Sequence, residues 1–283
     1  VTPLARKIAA RIRSEGPLPF SEFMRLALYD PEHGYYLRQP FGPAGDFYTA
    51  AQLQPVFGAY ISTLAASLLP GYSAFVDIGA GRADLAASFP QNIYQPIEFS
   101  QPLPKTKNAI LFSNELFDAL PVDLYQRDVL LRVACHGDEF RWYPHPPREG
   151  VREVRPQVAP LLAAAYDSLS HGVYIIIDYG YRQREWARFP NGSLMSYRRH
   201  LASSEVLLQP GERDLTAHVD WDHLIAAARS AGWSHRSFTT LRGSLMSLGP
   251  DVLEGLNLLG PMHLRTLLFN FGESFDVLIL DKK

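Results

Sequence analysis

Apolar positions along this chain recur with two different periods, and the change between them divides it. In the first third the period is helical. Leu4 to Arg13 reads as a basic, amphipathic surface helix. Ser21 stands where an N-cap belongs, and Phe23, Met24, Ala27 and Leu28 supply one apolar face before Asp30-Pro31-Glu32-His33-Gly34 stops the helix with turn residues. A further helix is expected from Pro55, suited to a first helical position, to Leu69. After Pro70-Gly71 short continuous apolar runs take over: 74–78, 93–99, 109–113 and 175–178, the last preceded by a helix over about 158–169. Continuous apolar strands alternating with helices predict a parallel sheet covered on both faces, hence an α/β fold. Val122 to Tyr143 reads instead as an antiparallel meander turning at 136–138. Asp220 caps a helix that runs through Ser230 to Gly232, and Phe275 to Leu280 is the last strand.

Composition narrows the class. The chain has 283 residues, 47% of them apolar and 12% aromatic, enough for one large domain or a core with an added lobe. A net charge of −2 with acids and bases intermixed argues against a nucleic-acid protein held by backbone electrostatics. The single cysteine, Cys135, can form no internal disulfide and no Cys-based zinc site, so a reducing compartment fits and no metal ligands are assigned. No apolar run approaches the ~20 residues of a membrane span. The basic start has no apolar h-region and passes directly into patterned sequence, which favours a bacterial cytoplasm, or the mitochondrial matrix for a eukaryotic host.

Val76-Asp77-Ile78-Gly79-Ala80-Gly81-Arg82-Ala83-Asp84 has the strand–turn–helix context in which open parallel sheets bind ligands. The glycines allow close backbone approach, and the expected helix N-terminus would present N–H groups. Asp84 stands where a dinucleotide site wants a third glycine, and an acid beside a pyrophosphate is poor electrostatics. Asp77 suits an ammonium group, and Glu98, at the end of the next strand, suits ribose hydroxyls. S-adenosylmethionine offers an amino acid, a ribose and no phosphate, so it fits better than NAD or ATP. Taken alone, the turn is equally compatible with a tight βα connection that binds nothing.

Other segments add to this. They are Phe20 to Tyr36 (FSEFMRLALYDPEHGYY), Gly45-Asp46-Phe47-Tyr48-Thr49-Ala50, Asn114-Glu115-Leu116-Phe117-Asp118-Ala119-Leu120-Pro121-Val122, Tyr197-Arg198-Arg199-His200, and Gly211 to Asp220 (GERDLTAHVD). Together they resemble, in order and over nearly the whole chain, the MidA-like family of S-adenosylmethionine-dependent methyltransferases. The resemblance implies a Rossmann-like class I methyltransferase sheet, with a helical lobe and cofactor-covering loop at 1–70 and a core at 71–283 carrying a β insert at about 122–145. It implies methyl transfer to a protein side-chain nitrogen, arginine first, since mitochondrial members act on a respiratory complex I subunit during assembly. By the same resemblance Gly45, Asp46 and Thr49 close over the cofactor, Asp77, Gly79 and Gly81 form the methionine-side turn, Glu98 takes the ribose, and Asn114 and Glu115 stand where the acceptor meets the sulfonium.

A guanidinium is a weak nucleophile because its lone pairs are delocalised. Carboxylates gripping its other nitrogens would concentrate positive charge there and free the reacting one. Glu115 with Asp118, one helical turn later, is the best pair for this, with Asn114 positioning. The opposing reading has Asn114 and Asp118 capping a short helix and Glu115 solvated. For Asp214, Thr216 and His218, fixing a loop is the stronger reading, and for Tyr35-Tyr36, packing. Tyr197 to His200 reads either as a carboxylate holder or as an exposed strand.

The chain also departs from the family pattern. Ala83 replaces a turn glycine, Ala51-Gln52 stands where Pro-Glu is usual, and Ser100 to Asn108 alone must join two strands. Nine extended residues span about 30 Å, enough for two strand spacings of roughly 10 Å and a return of roughly 17 Å. A sheet lacking one edge strand is therefore expected, and the alternative function is a methyltransferase fold kept as a non-catalytic binding or assembly module. A small-molecule methyltransferase is the third reading.

Overall fold

The structure, a computed structural model, describes residues 2–38, 50–137 and 139–283. Gly45, Asp46 and Thr49, assigned above to the cofactor-covering loop, lie outside the described residues, as does Asp138 of the meander turn. The chain forms two compact units. One takes the described residues of 1–48 with those of 118–158 and 181–218; the other takes 50–117, 159–180 and 219–283.

The second unit is a six-stranded sheet. Its strands are β1 (Ala74–Ile78), β2 (Tyr94–Ile97), β3 (Thr106–Asn114), β4 (Leu169–Asp178), β5 (Ser234–Thr240) and β6 (Asp276–Lys282), in the order β5-β6-β4-β3-β1-β2. The β2, β1, β3 and β4 strands are mutually parallel, while β6 runs antiparallel to both β4 and β5. Strand order reverses at β1, which places the switch point between the ends of β1 and β3.

Both faces are covered, which is why the strands read as unbroken apolar runs. Phe75, Ile110, Phe112, Ile175, Ile177 and Val277 share a core with Phe57, Tyr60, Ile61 and Leu64 of the helix Val56–Leu68. Val76, Leu111, Tyr174, Ile176 and Leu278 are buried too. Trp233 lies against Tyr174, and its indole N–H donates to the Leu162 carbonyl of the helix Val158–Ser168 at 2.9 Å.

Strands β3 and β4 are longer than their apolar runs. Polar Thr106 and Asn108 pair with Leu169 and His171, since a ladder bonds backbone whatever the side chain. Gly172 permits this closeness, because a Cβ there would lie 2.3 Å from the Ala109 carbonyl oxygen. Among the described residues β2 is one edge of the sheet, and residues 98–105 join it to β3 without helix or strand.

Two local expectations are corrected. The helix Phe20–Tyr29 has Pro19, not Ser21, at its N-cap. Ser21 lies within the first turn, and its N–H is taken by Asp123 Oδ1 at 3.3 Å, a cap supplied by tertiary structure. No α-helix succeeds the glycine turn: residues 81–85 form successive turns and Ala86–Ser88 a single 3₁₀ turn. Ala83, with φ 54°, is left-handed and breaks any helical run, and Pro90 caps the length available before β2.

In the first unit, helices Pro3–Glu15 and Phe20–Tyr29 bury Leu4, Ile8, Ile12, Phe23 and Met24 against Leu124, Leu131 and Val133 of the meander and Val151 beyond it. Asp123–Gln126, Val129–His136 and Glu139–Tyr143 pair antiparallel as expected, with Val151–Val154 added beyond and Leu18–Pro19 on the other side. Met195–Arg198 and Leu201–Ser203 form a hairpin whose turn residues, Arg199 and His200, are both left-handed. Arg198 reaches Glu212 at 3.7 Å and Arg38 reaches it at 2.5 Å, so this strand does hold a carboxylate, an internal one. The half-buried Tyr36 phenol donates to Asp214 Oδ1 at 2.9 Å, consistent with packing for the tyrosine and loop fixing for the acid.

Candidate functional site

The glycine turn leaves β1 at its carboxyl end. Gly79 has φ 76°, and a Cβ there would come within 2.9 Å of Leu116 Cδ1, so conformation and space both call for glycine. Gly81 is also left-handed, at φ 54°. The turn is pinned to the neighbouring strand: the Gly79 and Ala80 N–H groups donate to the Ile97 carbonyl at 2.8 and 3.2 Å. The Gly81 N–H bonds the Glu98 carboxylate. These donors therefore shape the turn and set Glu98, rather than waiting at a helix N-terminus as the sequence led us to expect.

Asp77, one residue before the end of β1, is buried. Its Oδ2 accepts the Tyr94 hydroxyl at 2.6 Å. Burial pushes its carboxyl up to about 7; the Tyr94 hydrogen bond opposes that shift, and Glu98 and Asp84 add to it. Glu98 lies exposed just past the end of β2, raised by partial desolvation and held back by the Gly81 N–H. Two acids thus flank one turn, one buried and near neutrality, the other open to solvent. An ammonium and a sugar diol match that pair in chemistry, and a phosphate does not.

At the adjoining strand end, Asn114 closes β3 and Glu115 comes next in a left-handed conformation, φ 51°. The Glu115 N–H still donates to Ile177 on β4 at 3.0 Å, so the bend occurs with the backbone anchored. Glu115 Oε1 accepts from Asn114 Nδ2 at 3.0 Å and from the Ala50 N–H at 3.2 Å. Asn114 Oδ1 is buried and accepts no hydrogen bond among the described residues. A fixed carboxylate beside a waiting amide oxygen can grip a group with several N–H donors.

Asp118 does not extend this pair along a helix. Residues 115–119 are bends and turns, so the i, i+3 face on which the pairing was drawn does not exist, and neither does the short helix of the opposing reading. Asp118 is buried in the other compact unit, where its charge acts on Tyr36 and Tyr197. The same unit holds His218, whose ring lies 4.6 Å from that of Phe189 and whose backbone N–H donates to Ser193 Oγ. Burial, with Arg155 and Arg188 nearby, lowers its pKa to about 4.

The chain is similar to several known methyltransferases. Residues 136–239 match a family described as "Putative S-adenosyl-L-methionine-dependent methyltransferase". The mouse mitochondrial protein arginine methyltransferase NDUFAF7 is 25% identical, with the alignment covering 100% of this chain and 77% of that protein. A Drosophila melanogaster homologue is 24% identical over 82% of this chain and 71% of its own length. The crystal structure of a COG1565 superfamily member from Burkholderia thailandensis, bound to S-adenosyl-homocysteine, superposes with a TM-score of 0.86, covering 99% of this chain and 92% of that one at 24% identity. The chain is thus similar to S-adenosylmethionine-dependent methyltransferases in part of its sequence and, with the Burkholderia protein, in its fold.

Where this chain departs from the motifs it resembles, the structure shows what the replacements do. Ala83 occupies a left-handed position that a glycine would hold without a Cβ penalty. Gln52, in place of an acid, has both amide atoms buried with no partner among the described residues. Two residues at the site escaped the sequence reading. Asp178, fully buried at the end of β4, accepts the Phe117 N–H at 2.9 Å and so fixes the loop just after Glu115. Tyr94 sits near the start of an edge strand, where an aromatic reads as core. A strand that ends in an acid was the only signal, and it is too common to single out either residue.

Proposed function

We propose that this protein transfers a methyl group from S-adenosylmethionine to a side-chain nitrogen of another protein, an arginine before others. The observation that carries the reading is Glu115 Oε1 held by Asn114 Nδ2 and the Ala50 N–H, at the strand end beside the glycine turn. The names of the NDUFAF7 relatives, protein arginine methyltransferases, support the acceptor. The family resemblance makes a respiratory-complex subunit the first acceptor to try. A single cysteine fits a reducing compartment such as a bacterial cytoplasm.

The residues fit the cofactor. Asp77 would take its ammonium, Glu98 its ribose hydroxyls, and Gly79 and Gly81 would let the backbone lie close; Gly45, Asp46 and Thr49 keep their place as a proposed cover. When bound, S-adenosylmethionine supplies an electrophilic methyl on a sulfonium. The protein's own part is alignment and charge. Glu115 would accept N–H groups of the guanidinium, drawing positive charge away from the reacting nitrogen. Asn114 Oδ1 would accept another N–H and fix its rotation. The reacting nitrogen would give up one proton to water as its bond to the methyl carbon forms and the methyl–sulfur bond breaks, and the negative charge of Glu115 would stabilise the positive charge carried on the guanidinium until that proton leaves.

The test is Glu115→Gln, which keeps the shape and removes the charge. Transfer of labelled methyl to protein should fall about 10²-fold or more, while calorimetric affinity for S-adenosylhomocysteine stays within a few-fold of wild type. Unchanged transfer would remove Glu115 from the mechanism. Folded wild type that binds no S-adenosylhomocysteine at millimolar concentration would leave the non-catalytic module as the reading.

A further inference from the structure

Asp77 sits in an environment that works against the charge its assigned role requires. The groups facing it can be named by element. From β2 comes Tyr94, whose hydroxyl donates to Oδ2 at 2.6 Å, and just beyond the strand's end comes Glu98. From the turn after β1 comes Asp84, itself 3.6 Å from Arg82. From β3 the register partner is Phe112, which is apolar. Two like charges and burial thus oppose ionisation, and among the described residues Tyr94 alone donates to the carboxylate. Tyr94 is held for this task, its ring stacked on Phe89 at 5.8 Å and on Phe75 at 6.2 Å. That stack fixes where its hydroxyl points.

We propose that Tyr94 is a positioning residue for the cofactor: its hydroxyl holds one oxygen of Asp77, keeping the carboxylate oriented and able to ionise for the ammonium of the cofactor's methionine. This rests on the cofactor reading given above. Its consequence is proton-linked binding. Near neutral pH the cofactor-free carboxyl is part protonated, an ammonium contact requires it ionised, and the proton so displaced goes to the buffer. Losing the Tyr94 hydroxyl removes the one contact that favours the ionised form, so ionisation moves to higher pH.

The experiment is calorimetry of the full chain with S-adenosylhomocysteine, in buffers of differing ionisation enthalpy, on wild type, Tyr94→Phe and Asp77→Asn. Phenylalanine keeps the stacked ring. With Asp77 titrating at about 7, wild type at pH 7 should release about half a proton per ligand bound. Tyr94→Phe should release more and bind about five-fold more weakly at pH 7, with the ratio to wild type closing to within about two-fold by pH 9. Asp77→Asn should lose the proton release. Wild type that binds without releasing a proton overturns the inference whatever the variant's stability. So does a Tyr94→Phe to wild-type ratio that is the same at both pH values. Wild type that does not bind at all is a different result, and it removes the cofactor reading itself.

Discussion

Replacing Asp77 by asparagine should stabilise the cofactor-free protein, and should do so more at high pH than at low. The carboxyl is buried and titrates at about 7 instead of its ordinary 3.8. Each unit of such a difference is worth about 1.4 kcal/mol, so the fully ionised folded state carries a penalty on the order of 4 kcal/mol. Proton counts set the sign. At about pH 5.5 the unfolded aspartate is already ionised while the folded one keeps its proton, so stability falls as pH rises through about 7. Between about pH 5.5 and about pH 8 the loss from this one group is about 2 kcal/mol.

Wild type alone would not display that loss. His218, largely buried and lowered to about 4, moves stability the other way over the same range. The comparison of variant with wild type at each pH cancels His218. Asparagine can still accept the Tyr94 hydroxyl, so packing is preserved. Urea denaturation monitored by tryptophan fluorescence is suitable, because Trp221 and Trp233 are buried in the same unit as Asp77. The Asp77→Asn advantage at about pH 8 should exceed that at about pH 5.5 by about 2 kcal/mol. An equal difference at the two pH values would show that Asp77 does not titrate near neutrality, and the proton-linked binding argued for Tyr94 would fall with it.

Two further changes probe the site and its surroundings. Gly79→Ala places a Cβ 2.9 Å from Leu116 at φ 76°; it should cost about 1–2 kcal/mol in urea melts and weaken S-adenosylhomocysteine binding, and full retention of both would deny that the turn needs glycine. His218→Gln removes a group that the folded state holds neutral. Unfolded histidine takes up a proton below about pH 6.5, so wild type loses stability there and the variant should gain on it by about 2 kcal/mol at about pH 5 relative to about pH 8. A pH-independent difference would place His218 in contact with solvent.

The layout of the sheet was legible because burial on both faces leaves unbroken apolar runs, and these five were visible: Ala74–Ile78, Tyr94–Ile97, the centre of Thr106–Asn114, the end of Leu169–Asp178, and Asp276–Lys282. Ser234–Thr240 was not read as a strand. Its composition is polar, and what makes it one is pairing with β6. The Asp220 cap was legible for a local reason: an N-cap needs only its own side chain, and Asp220 accepts the His223 N–H at 3.0 Å. Ser21 misled by the same rule: it lies inside the first turn, and its own backbone N–H donates to Asp123, about a hundred residues away in sequence.

At the site, sequence by itself determined which acids stand at strand ends, because strand ends are set by where apolar runs stop: Asp77, Glu98 and Asn114-Glu115 are all there. Tertiary structure decided what each acid experiences. The burial of Asp77, the hydroxyl that Tyr94 turns onto it, the Ala50 N–H on Glu115 and the left-handed bend at Glu115 that removes Asp118 from its helical face are all contacts or conformations set by neighbouring strands and loops. Apolar periodicity is a property of the local chain and can be read from it. Ionisation and orientation depend on which distant groups arrive within hydrogen-bonding distance, and only the folded chain fixes that.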